Sequence, residues 1–195
     1  MQEIKVEGVY NITKPKTVFN VGAFDCADAI KFAELGCNVV AFEPMDIPHK
    51  PHNNMVLVQA AVSNLDGKIT FHPSENGCSG SIHSPKNHFK IWPHVKFGEP
   101  IEVDCIKLDS FGASFDSVDL LYVDVNGGEK EFIEGATETL KKTEWLFIEV
   151  SNKELYTGQS TMDEILAMLP DWQLVGVYND YERFCDILLR NGKRI

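Results

Sequence analysis

At 195 residues, with 44% hydrophobic and 24% charged side chains, the chain has the makeup of one ordinary folded domain, which excludes disorder and fibrous repeats. Its formal charge is −11, from 29 acidic against 18 basic residues, and no basic cluster stands out beyond Lys193-Arg194, so neither nucleic acid nor an anionic membrane is expected as a partner. No apolar run is long enough to span a bilayer, and the five cysteines (26, 37, 78, 105, 185) lack C-x-x-C spacing, which predicts a soluble cytoplasmic protein with free thiols and no metal cluster.

Met1–Lys16 alternates weakly and is expected to form a short edge strand or a cover over the sheet. Thr17–Val21 is an apolar run that meets Gly22 and turns, Ala27–Leu35 places Ala27, Ile30, Ala33 and Leu35 on one helical face, and Gly36 ends the helix. Val39–Phe42 is a second apolar run ending on Glu43-Pro44. Together these segments read as a right-handed βαβ unit, which binds a nucleotide-like ligand at the carboxyl ends of its strands. Gly22 lets the backbone approach that ligand, and Glu43 stands where a carboxylate accepts hydrogen bonds from ribose hydroxyls. The turn Gly22-Ala23-Phe24-Asp25-Cys26-Ala27 holds a single glycine, and Asp25, the expected N-cap, would face a pyrophosphate with negative charge. Asp28 complements the helix dipole. A ligand without phosphate fits better, and S-adenosyl-L-methionine (SAM), with its adenosine, sulfonium and amino-acid end, is such a ligand.

Further along, a segment with prolines 44, 48 and 51 cannot be a long helix, and Met55–Val62 reads as a third buried strand. Asp66-Gly67 signals a hairpin turn into a partner strand, Lys68–His72. Pro73–Pro100 is irregular and long enough to be a lid or substrate loop; its histidines 83, 88 and 94 match no metal-ligand spacing and read as idle surface residues. Ile101–Leu108 alternates as a short strand, and Asp109-Ser110-Phe111 starts a helical turn. Val118–Val123 is an apolar strand ending on Asp124, after which Asn126-Gly127-Gly128 turns and Glu129 opens a helix reaching Leu140. Trp145–Val150 is another central strand, a capped helix runs from Ser160 or Thr161 to Leu169, and strands Gln173–Tyr178 and Phe184–Leu189 are joined through Asn179-Asp180. No repeat or linker interrupts residues 1–195, which predicts a single domain.

Four ordered blocks, VFNVGAFDCADAIKFAELG, VVAFEP, AAVSNLDGKITF, and LDSF followed by VDLLYVDVNGGEKEFIEGA, resemble the FkbM-type family of SAM-dependent methyltransferases. The resemblance implies a three-layer, Rossmann-like class I methyltransferase fold: α/β, with a seven-stranded, mostly parallel sheet whose last strand is antiparallel. It also implies SAM as cofactor and a small-molecule, sugar or lipid-like acceptor methylated on a hydroxyl. On this reading Asn20, Gly22, Ala23, Phe24 and Asp25 surround the methionine moiety, Glu43-Pro44 holds the ribose, and Ala61-Val62 lies near adenine. Asp124 is the leading polar group beside the transferred methyl, with Asn126 and Glu129 as further catalytic candidates. Asn20, Cys26 and Asn126 depart from the family pattern, which offers aspartate, glycine and glutamate there. They motivate one alternative, a degenerate SAM- or nucleoside-binding domain; a second, which the single-glycine turn argues against, is an NAD-dependent oxidoreductase.

Overall fold

The computed structural model describes residues 3–194. It opens with helix α1 (Val6–Thr13), where a short edge strand was the alternative expectation, and α1 packs its buried Val6 and Val9 among the core residues that also hold the second helix. Strand β1 (Thr17–Val21), helix α2 (Ala27–Glu34) and strand β2 (Asn38–Phe42) form the βαβ unit, with β1 and β2 parallel from Thr17↔Asn38 to Val21↔Phe42. Gly36 follows the helix at φ 93°, the left-handed position that terminates it without a Cβ clash.

The stretch expected as a third buried strand is two pieces. β3 (Met55–Val58) lies at the sheet edge beside β2, with Val56 61% exposed. The Ala60 N–H then folds back onto the Val58 carbonyl, and β4 (Ala61–Val62) enters a second sheet. Nor is Asp66-Gly67 a hairpin between neighbouring strands. β5 (Gly67–Phe71) pairs antiparallel with β6 (Ile101–Ile106), which itself lies parallel to β4, so the small sheet runs β4-β6-β5. The Asp66 carboxylate accepts the Lys107 N–H and the Ser110 hydroxyl, both at 2.8 Å, which ties the turn to the end of β6.

Between β5 and β6 the long loop carries one short helix, α3 (His88–Ile91), and is stitched down by bridges His72↔Ser81, Ser74↔Phe97 and Pro85↔Tyr156. Helix α4 (Leu108–Gly112) leads into strand β7 (Val118–Val123). The helix expected from Glu129 to Leu140 is broken into α5 (Glu129–Gly135) and α6 (Thr137–Lys141). Gly135 passes so close to the Ser63 carbonyl that a Cβ would sit 1.9 Å from its oxygen, and the first helix ends there. Strand β8 (Thr143–Ser151), helix α7 (Met162–Met168), strand β9 (Trp172–Tyr178) and strand β10 (Phe184–Asn191) complete the chain. Thr161 caps α7 in a reciprocal capping box with Glu164.

The main sheet has the order β3-β2-β1-β7-β8-β10-β9, and β10 runs antiparallel to both of its neighbours. The central strands are buried on both faces, as parallel strands covered by helices must be. Alternate residues divide between two cores. Phe19, Val21, Leu121, Val123 and Ile148 pack on the α5 and α7 side, and Val18, Leu120, Trp145 and Phe147 pack on the α1 and α2 side. No helix among the described residues is long and apolar enough to cross a membrane.

Candidate active site

The parallel strands β1, β2, β7 and β8 all end on one edge of the sheet, and a cavity of about 310 Å³ lies there. Its floor is the turn after β1. The Gly22 and Ala23 N–H groups both donate to the Phe42 carbonyl at 3.0 Å, and the Asp124 N–H donates to the Val21 carbonyl at 2.9 Å, so three strand ends are laced together. Gly22 has φ 78°, and a Cβ there would lie 1.7 Å from the Asp124 carbonyl oxygen. The glycine is therefore demanded by the neighbouring strand end, and it also lines the cavity, where a ligand's approach is expected.

Phe24 (φ 47°) and Cys26 (φ 61°) carry the turn through the left-handed region, and Cys26, not Asp25, is the N-cap. Asp25 still serves the helix start, since its Oδ1 accepts the Ala27 N–H at 3.0 Å. The Cys26 side chain is wholly buried in the α1–α2 core and does not line the cavity, so the substitution of glycine by cysteine leaves the ligand space untouched.

Glu43 is buried at the tip of β2, where its Oε2 accepts the Phe24 N–H and its Oε1 the Met45 N–H, each at 2.9 Å. Burial raises its pKa, and the two backbone bonds act against that rise. Pro44, Ala61 and Val62 line the same end of the cavity. At the other end Asn20 is buried; its Nδ2 donates to the Tyr122 carbonyl at 3.3 Å, and its Oδ1 has no partner.

Asp124 lines the cavity with one carboxylate oxygen, Oδ1, unpartnered. Burial, and then the neighbouring Asp186, push its pKa up to about 7 against the help of the Asn126 N–H. Asn126 sits at φ 49°, a conformation asparagine tolerates far better than glutamate does. Its Nδ2 donates to the Cys78 carbonyl at 3.1 Å, and the Tyr156 and Ser81 hydroxyls donate to its Oδ1 and backbone oxygen, binding the 73–100 segment to the turn. Glu129 does not line the cavity. It is buried behind the turn, accepts the Gly127 N–H at 2.8 Å, and has its pKa raised to about 7 by burial.

Three cavity acids lie outside the expected set: Asp28, Glu149 and Asp186. Asp28 faces in from the first turn of α2, while Glu149 and Asp186 stand on strands whose sequence reads as apolar. Burial raises the pKa of each, that of Glu149 well above the usual carboxylate range with Asp124 the next cause. With Asp25, Glu43 and Asp124 they make six acidic lining residues, and among the described residues no lysine, arginine or histidine lines this cavity.

A second cavity of about 330 Å³ opens beside the first, sharing Cys78, Asp124, Asn126 and Glu149 with it. The 73–100 segment supplies Asn76, Ser79, His88, Trp92, His94 and Val95 to its wall, opposite Tyr156, Gln159 and Phe184. Of the loop histidines, His83 and His88 are thus not idle surface residues, while His94 is exposed at the rim of this cavity. His88 is buried and packed against Trp92, Phe97 and Tyr156, with Nδ1 unpartnered and its pKa lowered by burial. His83 Nε2 lies 3.2 Å from Glu131 Oε2 on α5, and that contact raises its pKa.

The first cavity fits SAM. Its acids suit a ligand whose reactive end carries sulfonium and ammonium charges, and the orphan Asn20 Oδ1 is an acceptor awaiting an N–H donor. A dinucleotide pyrophosphate would meet six acidic residues and no base. Sheet order, antiparallel β10 and an acid-lined crevice at the strand tips define the class of SAM-dependent methyltransferases.

Residues 11–180 match the methyltransferase FkbM domain, so the chain belongs to the FkbM methyltransferase family, whose methyl donor is SAM. Among its relatives, the 2-O-methyltransferase NoeI of Sinorhizobium fredii (strain NBRC 101917 / NGR234) is 36% identical over 201 residues, covering 93% of this chain and 82% of that protein. Solved structures share the fold at low identity. The 1,6-didemethyltoxoflavin-N1-methyltransferase of Burkholderia thailandensis, with S-adenosylhomocysteine bound, superposes with TM-score 0.51 and 13% identity, over 95% of this chain and 76% of that one. Magnesium protoporphyrin IX methyltransferase of Synechocystis PCC 6803, with SAM bound, gives TM-score 0.52 and 10% identity over 95% and 77%.

Proposed function

We propose that the protein, acting as a single domain in the cytoplasm, transfers the methyl group of SAM to a hydroxyl of a small-molecule, sugar or lipid-like acceptor. One observation carries the reading: an acid-lined cavity meets a second cavity of similar volume at Asp124, Asn126 and Glu149. Two ligands held in these cavities would meet at shared side chains, as transfer between them requires. The 36% identical relative is by its name a 2-O-methyltransferase, which supports oxygen as the acceptor atom. The described cysteines are all free, in keeping with a reducing compartment. With no lysine or arginine among the described residues lining either cavity, a phosphorylated acceptor and nucleic acid are disfavoured.

In this reading Glu43 accepts the ribose hydroxyls on lone pairs that its two backbone bonds leave free, and Ala61-Val62 flanks the adenine. Asn20 Oδ1 accepts from the ammonium group, while the turn Gly22-Ala23-Phe24 and Asp25 enclose the methionine moiety. SAM supplies a methyl already activated by its sulfonium, which leaves the chain the work of alignment and of proton removal from the acceptor. Asp124 orients the acceptor hydroxyl, Asn126 holds the 73–100 segment beside it, and that segment acts as the acceptor loop. Glu129, behind the turn, positions Gly127 without touching either ligand.

Calorimetric titration with SAM, S-adenosylhomocysteine and NAD, followed by incubation with methyl-labelled SAM and a panel of hydroxylated small molecules, tests the reading. SAM should bind and NAD should not, and label should be recovered as a base-stable methyl ether. Preferential NAD binding, or label recovered only on nitrogen or as a base-labile ester, would overturn it.

A further inference from the structure

The β7–β8 register that pairs Val123 with Ile148 brings Asp124 beside Glu149 one step further on, and β10 pairs Asp186 directly with Glu149. Three carboxyl groups therefore stand on three adjacent strands, and all three line the first cavity. Neighbouring strands lie about 4.8 Å apart, and like charges directly opposite one another destabilise a sheet. Packing gives no return for such a row, whereas a cationic ligand and a proton in transit both do.

The three are not equivalent. Asp186 Oδ2 accepts the Asn179 Nδ2 at 2.6 Å, and the residue does not line the second cavity. Asp124 has the Asn126 N–H close enough to work against the rise of its pKa. Glu149 lines both cavities, is open to them, and takes no hydrogen bond from any described residue; only burial and the acids Asp124, Asp186 and Glu129 act on it. Its side chain reaches further than an aspartate from the same row. Around this junction Asn126 and Tyr156 are bonded to the 73–100 segment, His88 is buried, Cys78 lines both cavities, and the exposed His94 lines only the second; among the described residues no lysine or arginine lines either cavity.

We propose that Glu149 is the catalytic base, standing at the point of methyl transfer and taking the proton of the acceptor hydroxyl; this rests on the methyltransferase reading above. The acceptor oxygen gains its bond to the methyl carbon as the bond from that carbon to sulfur breaks. The O–H electron pair stays on the oxygen, the proton passes to a Glu149 carboxylate oxygen, and the sulfonium ends as a neutral thioether. The proton then leaves to water through the vacated second cavity, and no further reactant is needed.

The acceptor need not be known to test this. In sinefungin a C–NH3+ group replaces the S–CH3 of SAM and places a cationic donor at the transfer point, whereas S-adenosylhomocysteine has nothing there. Both dissociation constants are measured by calorimetry for wild type, E149Q and D124N between pH 5.5 and 8.5. Wild type should prefer sinefungin by about tenfold or more at pH 8.5, and the preference should fade as pH drops and the carboxyl takes up its proton. E149Q should lose about tenfold of that preference while S-adenosylhomocysteine affinity stays within about twofold, which also reports an intact fold. D124N, which removes another charge of the same row, should lose less of it than E149Q. A preference kept by E149Q, or lost in D124N alone, overturns the assignment. Should E149Q fail to fold, wild type and D124N still decide, since a wild-type preference flat with pH, or one lost in D124N, overturns the assignment too. Wild type binding neither ligand would bring down the methyltransferase reading, and this assignment with it.

Discussion

Glu43→Ala separates the two jobs the structure gives that carboxylate. In the free protein it accepts the Phe24 and Met45 N–H groups at 2.9 Å each, clamping the turn after β1 to the segment after β2. A hydrogen bond to a charged partner contributes about 1.5–3 kcal/mol, so the gross loss is about 3–6 kcal/mol. Two effects offset most of it. Burial disfavours the charge, as the raised pKa records, and the cavity lets water reach the two vacated N–H groups. We expect a net loss of about 1–2 kcal/mol, a melting temperature lower by roughly 2–8 °C for a chain of this size. Ligand binding should suffer more. Both ribose hydroxyls lose a charged acceptor at about 1–2 kcal/mol apiece, which raises the dissociation constant for S-adenosylhomocysteine by roughly 30- to 1000-fold. Glu43→Gln should fall between, because its amide nitrogen must face one of the two N–H donors. Thermal melts by circular dichroism and calorimetric titration read the two effects separately. A folded Glu43→Ala protein that binds S-adenosylhomocysteine with wild-type affinity would show Glu43 to be a loop clamp and nothing more.

Asn20→Asp should tighten SAM by about 1 kcal/mol through a charge facing the ammonium group, while the free protein loses about as much because the Nδ2 bond to the Tyr122 carbonyl becomes an oxygen–oxygen contact; weaker SAM binding would remove Asn20 from that role. Gly22→Ala, whose Cβ would meet the Asp124 carbonyl oxygen at 1.7 Å with φ at 78°, should cost more than about 3 kcal/mol in urea denaturation, and a loss under about 1 kcal/mol would refute the close approach. The folded-state pKa of Asp124 and of Glu129 is raised to about 7, so the folded protein keeps protons that the unfolded chain releases near pH 4. Their contribution is therefore complete below about pH 4 and is lost as pH rises toward 7. The melting temperature of the ligand-free protein should fall across that window and flatten above it, with a shallower fall in Asp124→Asn; an equal fall in the variant would contradict the assignment. Once an acceptor is in hand, Asp124→Asn should slow single-turnover transfer about 100-fold with S-adenosylhomocysteine affinity within a few-fold, and a near-normal rate would leave Asp124 a turn residue.

Local pattern was enough to read the βαβ unit, Glu43 at the tip of β2, and Asp124 at the end of β7. Each follows from an apolar run, a glycine turn and a carboxylate that are contiguous in the chain. Ordered blocks from Val18 onward were likewise enough to read the family. Beyond them, sequence set the type of an element better than its partner. Asp66-Gly67 does turn the chain, but the strand that β5 joins arrives from Ile101–Ile106, across the whole 73–100 segment. A continuous run such as Met55–Val62 carries no mark of the break at Gln59-Ala60, because apolar residues serve both sheets equally well.

The composition of the site was decided in three dimensions. Cys26 stands where the family pattern has glycine and proves to be core, buried among the α1 and α2 residues with φ 61°. His88 looked like a loop residue and is buried among Trp92, Phe97 and Tyr156. Glu149 and Asp186 were hidden inside strands that read as apolar runs, where nothing local distinguishes a residue facing a helix from one facing a cavity. Their meeting with Asp124 depends on the registers of β7 with β8 and of β8 with β10, which join residues 25 and 37 positions apart (149 − 124 and 186 − 149). The sequence determines, strand by strand, which side chains share a face. Only the packing of the whole sheet brings three carboxyls into one row at the junction of two cavities, because register is a property of paired strands and no single segment contains it.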